Sequence, residues 1–417
     1  MNHDQPVDRE LNRTAVTAAE IAREPSTVPD FDAVRRDFPR ARTAAYLDNA
    51  SCHPLSVHAA AALHRYIDWT THDVAEPWWP GWAAARDQAK HLFAELINAG
   101  PEEVAFARST VEAESNLLNG MQEHLAGGNV VTDDLHYTAA LYNYRVRQRD
   151  GLDVRIVKHR NWTLDPADVA AAVDRNTRLI SVALVSNVNG LLADVKALSD
   201  LAHAHGALLY ADIIQAAGAV PIDVRAMGID LAACSTFKWL MGVKGFGFLY
   251  VRADLQGTVV KPTQHHGGVH LNYPPWVEEP DPDAPEIVFA PTPGPACFEV
   301  SYPSYEGAIC AQESLAYIHR LGVANIRSHA RTLTDRLQEE LPALGYPSIT
   351  PRRNESPIVA FKVPDPAATQ TRLRAAGVNV AMRHGDKMRI SPSVFNNQED
   401  VERLLRALPP AGTGHRC

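Results

Sequence analysis

Lys238 stands where an amine could do covalent chemistry. It follows a short apolar run, Leu231–Cys234, that breaks at Ser235 and Thr236. Gly242, Gly245 and Gly247 then lead into a second run, Phe248–Val251. A lysine just past a buried strand lies where open α/β sheets place their ligands, outside the carboxyl ends of the strands. An amine in such an apolar setting loses its charge readily, which suits Schiff-base chemistry. Other polar residues recur at equivalent points: Ser109, His136, Asn187 and Asp212, with Gln215 one turn after Asp212. Ser109 with Glu112 fits a helix capping box. The helix start at Ser109, Thr110 and Val111 also aims backbone N–H groups at any anion beside it. Asn49 and His53 follow another strand-like run and could face a ligand, or serve only as turn residues. Each of these has a plain structural explanation alone. Six of them just past strand ends on one sheet edge read as an active site.

The elements that must position these residues follow from periodicity. Runs such as Asn129–Asp133, Arg178–Ser186, Ala207–Asp212 and Leu231–Cys234 are almost continuously apolar and alternate with helical patterns. That is the signature of a mostly parallel, doubly wound α/β sheet buried on both faces. Four segments are expected: a disordered or arm-like tail over 1–28, a piece at 29–52 that joins the small domain, a large domain at 53–302, and a smaller C-terminal α+β domain at 303–417. The stretch 256–297, rich in Pro and His, reads as a loop or flap. His265, His266 and His270 there have no acidic or cysteine partner at a zinc spacing, so no metal is expected. Trp78, Trp79 and Trp82 suggest packing or the lip of a substrate pocket.

Composition narrows the function classes. The chain has 417 residues, a formal charge of -9 and 46% hydrophobic residues, with no basic run. A nucleic-acid partner is not expected. Five cysteines without a CxxC pair suggest a reducing, cytoplasmic setting. No stretch is long and apolar enough to span a bilayer, so no membrane partner is expected.

A reactive lysine, a strand-end carboxylate, a helix start for phosphate and an aromatic platform together describe a site for pyridoxal 5'-phosphate. Asp212 would hold a proton on the pyridine nitrogen and Asn187 would bond the ring hydroxyl. His136 would stack on the ring, and Ser109–Val111 with Ser235 would hold the phosphate.

The chain at this point resembles the class V aminotransferase family of fold-type I enzymes, from about Phe31 to Leu408. YLDNAS, FARSTVEA, SNVNG, ADIIQ and STFKWLMG resemble the family's motifs in order, and MRISPSVFNNQEDVERLL resembles the carboxyl-terminal one. The resemblance implies that Arg389 binds the substrate carboxylate, with Asn49 and His53 beside it, that Gln215 joins the cofactor site, and that the protein is a homodimer. It also exposes departures. Phe237 stands where a phosphate-binding His is usual, with Thr236 as a possible replacement. Ser301, in FEVSYPS, stands near the segment that reaches the neighbouring subunit's phosphate. The region VAMRHGDKMR (380–389) has no cysteine where the family's desulfurases carry their sulfur acceptor.

On that last point rests the expectation of a lyase other than a persulfide-forming desulfurase. The favoured reaction is β-elimination on a cysteine S-conjugate, a C–S lyase of natural-product or sulfur metabolism, with a small-molecule amino-acid substrate whose sulfur can carry a bulky group. Oxidative deamination coupled to decarboxylation, epimerisation and transamination are the alternatives. A non-catalytic binding protein on the same fold is the alternative of another class; it would have no need for Lys238, Asp212 and Arg389 together.

Overall fold

The computed structural model describes residues 28–72, 81–263, 269–289, 292–383 and 385–410. Fourteen strands occur among them. They are β1 (Ala45–Tyr46), β2 (Val104–Ala107), β3 (Asn129–Asp133), β4 (Asp153–Val157), β5 (Thr177–Ala183), β6 (Leu208–Asp212), β7 (Leu231–Ser235), β8 (Gly247–Val251), β9 (Val269–Leu271), β10 (Ile287–Phe289), β11 (Val359–Lys362), β12 (Val378–Asn379), β13 (Ala381–Arg383) and β14 (Lys387–Ile390).

The central sheet has the order β2-β8-β7-β6-β5-β3-β4. Strand β8 runs antiparallel to both its neighbours, and the remaining pairings are parallel. Every residue of β3, β6, β7 and β8 is buried, as expected where helices cover both faces of a parallel sheet. Ile180, Leu209, Ala232 and Phe248 point to one face, where Phe93 stacks on Phe248 at 4.1 Å between ring centres. Leu179, Tyr210, Ala233 and Leu249 point to the other, under the helices Thr110–Gly120 and Thr138–Arg149. Each large apolar side chain so buried contributes roughly 2 kcal/mol. The fold is thus the mostly parallel α/β architecture expected of fold-type I enzymes.

A second layer forms around the antiparallel sheet β11-β14-β13. Its core joins Leu333, Leu337, Phe361, Met388 and Val401 to Ala45 and Leu47 from the other end of the chain. Strand β1 pairs in parallel with β12, which carries the segment around residue 46 onto this layer. Gly190 fixes one contact between the two sheets. Its φ is +76°, and a Cβ there would lie 2.1 Å from the carbonyl oxygen of Ile358.

Three local expectations need correction or fall outside the described residues. The stretch 256–297 is not all loop: β9 and β10 form an antiparallel hairpin, and the Asn272 side chain closes it by donating to Asp281 O and accepting from Asp281 N–H. The surrounding prolines and acids hid two strands of only three residues each. His265 and His266 lie outside the described residues, and among the described residues no group of His, Cys, Asp or Glu is placed to hold a metal. Trp78 and Trp79 likewise lie outside them, as does nearly all of the segment expected to be a tail. Trp82 opens a helix and stacks on Tyr305 at 3.8 Å. Among the described residues no helix is long and apolar enough to cross a membrane.

Candidate active site

The carboxyl ends of β2, β3, β5, β6 and β7 supply the site. The parallel register sets Asp212 at the end of β6 opposite Ala183 on β5 and Ala233 on β7. Lys238 follows β7 in the turn Ser235–Gly242, where the Thr236 hydroxyl donates to Val243 O (2.7 Å) and Phe246 O (3.1 Å). Those bonds hold the loop shut and keep the Thr236 side chain from serving as a substitute phosphate ligand. Lys238 is only 9% exposed, and its ammonium lies 5.9 Å from the centre of the Tyr137 ring and 5.7 Å from that of Phe237.

Burial dominates the charges here. It pulls the Lys238 pKa down to about 8, against the attraction of Asp212 and with the help of Arg389 and Arg383. It pushes Asp212 up to about 6, although the Ile214 N–H donates to its Oδ1 and Lys238 favours the anion. His136 is buried and pulled down to about 3, so the ring is neutral. Its Nδ1 accepts from Tyr137 N–H at 2.7 Å, which places the proton on Nε2, 3.3 Å from the Ser181 hydroxyl.

The anion corner is built by two elements tied together. Ser109 caps the helix Thr110–Gly120 by accepting from Glu112 N–H. The returning half of the capping box is displaced: Glu112 accepts from Arg108 N–H at 3.0 Å, one residue earlier than the pattern implies. Thr110 N–H donates to Ser235 Oγ (2.8 Å), the two hydroxyls lie 3.0 Å apart, and Ser235 N–H returns to Thr110 Oγ1 (2.9 Å). The ends of β2 and β7 therefore form one cup, with Val111 in its rim.

On the substrate side, Arg389 of β14 is 2% exposed. Its guanidinium donates to Asn187 O (2.8 Å), Ser51 Oγ (2.6 Å) and Asp48 Oδ1 (3.2 Å). Arg383 reaches the same Ser51 hydroxyl at 2.7 Å. Asp48, Ser51 and Arg383 were not singled out in the sequence. Two of them stand inside YLDNAS, where the turn-forming residues concealed a guanidinium-binding role.

Other expected site residues are placed differently. The amide of Gln215 is tied to protein on both sides, donating to Ala50 O (3.0 Å) and accepting from Trp239 Nε1–H (2.9 Å). It locks the segment around residue 50 to the lysine turn. His53 is wedged between Phe38 and Phe395, with Nδ1 2.7 Å from Pro54 O and Nε2 2.9 Å from Ser393 Oγ. Asn49 donates to Ser391 O and Asn396 Oδ1, and its buried Oδ1 has no partner within the chain, so it stays available to a ligand. Ser301 sits at φ +60° in an exposed turn that borders a cavity of about 170 Å³ shared with Arg108, Glu112 and Asn116. None of Ser109, Thr110, Val111 and Ser235 lines that cavity.

Pyridoxal 5'-phosphate fits this donor set. The buried Oδ1 of Asn187 and Nε of Arg389 have no hydrogen-bond partner within the chain, as expected of polar atoms left for a ligand.

Comparison with known proteins agrees on the family and corrects the reaction. The profile of the family described as Aminotransferase class-V matches residues 46–407. A probable cysteine desulfurase of Methanothermobacter thermautotrophicus is 31% identical over 405 residues, covering 91% of this chain and 98% of the relative. The cysteine desulfurase IscS of Shewanella sediminis is 33% identical over 193 residues, 45% of this chain and 47% of its own length. The apo structure of a cysteine desulfurase from Thermococcus onnurineus superposes with a TM-score of 0.79 at 24% identity, covering 92% of this chain and 98% of that one. These relatives overturn the expectation of a C–S lyase, decarboxylase, epimerase or silent binding protein. They equally overturn the exclusion of a persulfide-forming desulfurase and give no support to a role in antibiotic biosynthesis. The exclusion rests on one missing cysteine, whereas 91% of the chain aligns with a probable cysteine desulfurase. From residue 46 to residue 407, then, this chain is a member of the class-V aminotransferase family.

Proposed function

We propose that this protein is a pyridoxal-phosphate-dependent cysteine desulfurase, which removes the sulfur of free cysteine to an acceptor thiol and leaves alanine. The observation that carries it is the buried Lys238 amine, held partly neutral beside Asp212 and within the fields of Arg389 and Arg383, in a chain that matches named desulfurases over almost its full length.

When bound, pyridoxal 5'-phosphate supplies an aldehyde that captures amines and a ring that withdraws electrons from the substrate's Cα. The chain does the rest. Arg389 binds the substrate carboxylate through its free donor and fixes which bonds at Cα stand upright on the ring. Lys238, partly neutral at pH 7 to 8, takes the Cα proton and returns one. Asp212 keeps a proton on the pyridine nitrogen. Ser109, Thr110, Val111 and Ser235 would hold the phosphate, and neutral His136 would face the ring. The sulfur balance is simple: cysteine and a thiol give alanine and a persulfide, with no outside oxidant.

Ser301 and the cavity outside the phosphate cup support a homodimer in which the turn 298–304 meets the neighbouring subunit. The thiol chemistry fits a reducing, cytoplasmic setting. The test is product analysis with cysteine and an added thiol. Equal amounts of alanine and persulfide are expected; pyruvate and ammonia with no alanine would refute desulfuration.

A further inference from the structure

One group in the site opposes the ligand expected there. Arginine carries its N–H donors in a rigid planar fork, and in Arg389 both terminal nitrogens are already engaged. Nη1 donates to Asn187 O at 2.8 Å, and Nη2 donates to Ser51 Oγ at 2.6 Å and to Asp48 Oδ1 at 3.2 Å. Nε is buried and has no partner among the described residues. A carboxylate that takes two parallel bonds along that edge needs Nε–H together with Nη2–H. Nη2 is the nitrogen on which Asp48 and Ser51 converge. A ligand carboxylate and the Asp48 carboxylate therefore compete for one edge of one guanidinium.

Several bonds hold Asp48 in that place. The Ser51 hydroxyl donates to Asp48 Oδ1 at 2.7 Å and accepts from Nη2 of both Arg389 and Arg383. Its oxygen is thereby saturated. In the β13–β14 register Ala381 faces Arg389, so Arg383, two residues on, shares that face of the sheet. The backbone of Asp48 bridges to Ser391, two residues past Arg389, and Ser51 N–H and Cys52 N–H both donate to Asp48 O (3.1 and 3.4 Å). The Asp48 side chain is 21% exposed and borders a cavity of about 200 Å³ shared with Arg40 and Arg374. Its charge is thus partly solvated.

We propose that Asp48 is an internal competitor for the carboxylate site: it occupies Arg389 Nη2 in the free protein and holds the affinity of the site for carboxylates below what the arginine alone would give. The inference rests on the reading that Arg389 receives the substrate carboxylate. Its use is release. Alanine presents the same carboxylate and amine as cysteine, so a site that gripped those groups tightly would retain its own product. Binding energy spent equally on ground and transition states does not raise kcat.

The experiment measures acetate binding to the unloaded full chain by NMR titration. After loading with pyridoxal 5'-phosphate it measures KM for cysteine and the inhibition constant of alanine. Asp48→Asn keeps an acceptor oxygen for Ser51 and Arg389 and removes the charge. It should bind acetate about tenfold more tightly than wild type, the effect of one partly solvated charge at contact distance. KM and the alanine constant should fall together. A merely structural role predicts the opposite sign, because a loosened Arg389 binds carboxylates less well. Asp48→Ser is the second neutral variant if Asp48→Asn does not fold, and Asp48→Glu, which keeps the charge, should stay close to wild type. Acetate affinity in the neutral variants equal to or weaker than wild type would overturn the proposal. Arg389→Gln separates the two readings. If it leaves acetate affinity intact, the Arg389 reading fails and the proposal with it; if it weakens binding while Asp48→Asn changes nothing, the proposal alone fails.

Discussion

The strongest quantitative consequence of the site concerns the Lys238 amine. Burial brings its pKa from 10.5 to about 8, and Asp212 is the main group opposing that fall. At pH 7.5 an amine of pKa 8 is about one quarter neutral, and an ordinary lysine about one part in a thousand. Capture of pyridoxal 5'-phosphate by the unloaded protein should therefore be roughly two hundred times faster than reaction with surface lysines. Its rate should rise with pH to a midpoint near 8. Asp212→Asn removes the one strong attraction that holds the proton on Lys238, so the midpoint should move down, by roughly one pH unit. Stopped-flow absorbance between pH 6 and 10 measures both. A wild-type midpoint near 10.5, or an upward shift in Asp212→Asn, would refute the claim that desolvation sets the reactivity of this amine.

Arg389→Lys keeps the charge but loses the planar fork. KM for cysteine should rise at least about tenfold, with kcat changing much less, in steady-state assays. Cys52 is the half-buried cysteine among the described residues and follows Ser51, an Arg389 partner; burial pushes the Cys297 and Cys310 thiols up to about 11. Cys52→Ser should slow persulfide formation without added thiol and recover when thiol is supplied, as read by alanine production. His53 is held at about 4 in the folded chain against 6.5 unfolded. Its neutral form is preferred by the fold, so the stability it supports is complete above pH 6.5 and is lost as pH falls towards 4. The loss, about 3 kcal/mol at most, should appear in urea midpoints and be absent in His53→Gln. Gly190→Ala should cost about 3 kcal/mol or more in the same assay, because both its φ and the Ile358 carbonyl exclude a Cβ.

Much of this architecture was legible because buried parallel strands must be apolar throughout. Leu208–Asp212 and Leu231–Ser235 could be placed from their runs alone, and the polar residue ending each run marked the sheet edge. The hairpin β9–β10 was not legible, since three-residue strands among prolines carry no periodic signal. The burial of Glu114 and Ser181 was not legible for a related reason. In sequence, Glu114 is one acid on an amphipathic helix, and Ser181 one small polar residue in an apolar strand. Only the packing of that helix on the central sheet shows that both are buried. His53 shows the opposite failure. A histidine next to a turn looks available, yet its ring fills a slot between Phe38 and Phe395 that no local pattern encodes.

The misjudged reaction has a physical origin as well. What happens at Cα depends on groups fixed by the sheet: Lys238, Asp212 and the Arg389 guanidinium, each held by strand ends or by several hydrogen bonds. Those positions tolerate little drift, so their residues carry a strong signal for the chemistry. An acceptor thiol is under no such constraint, since it need only reach the β-sulfur at the moment of transfer. A side chain on another segment or a thiol from outside the chain meets that need as well as a cysteine between Val380 and Arg389. The absence of cysteine from that segment therefore constrains the route by which sulfur departs and leaves the bond that breaks undetermined. The bond would be chosen by how Arg389 and the ring hold the substrate.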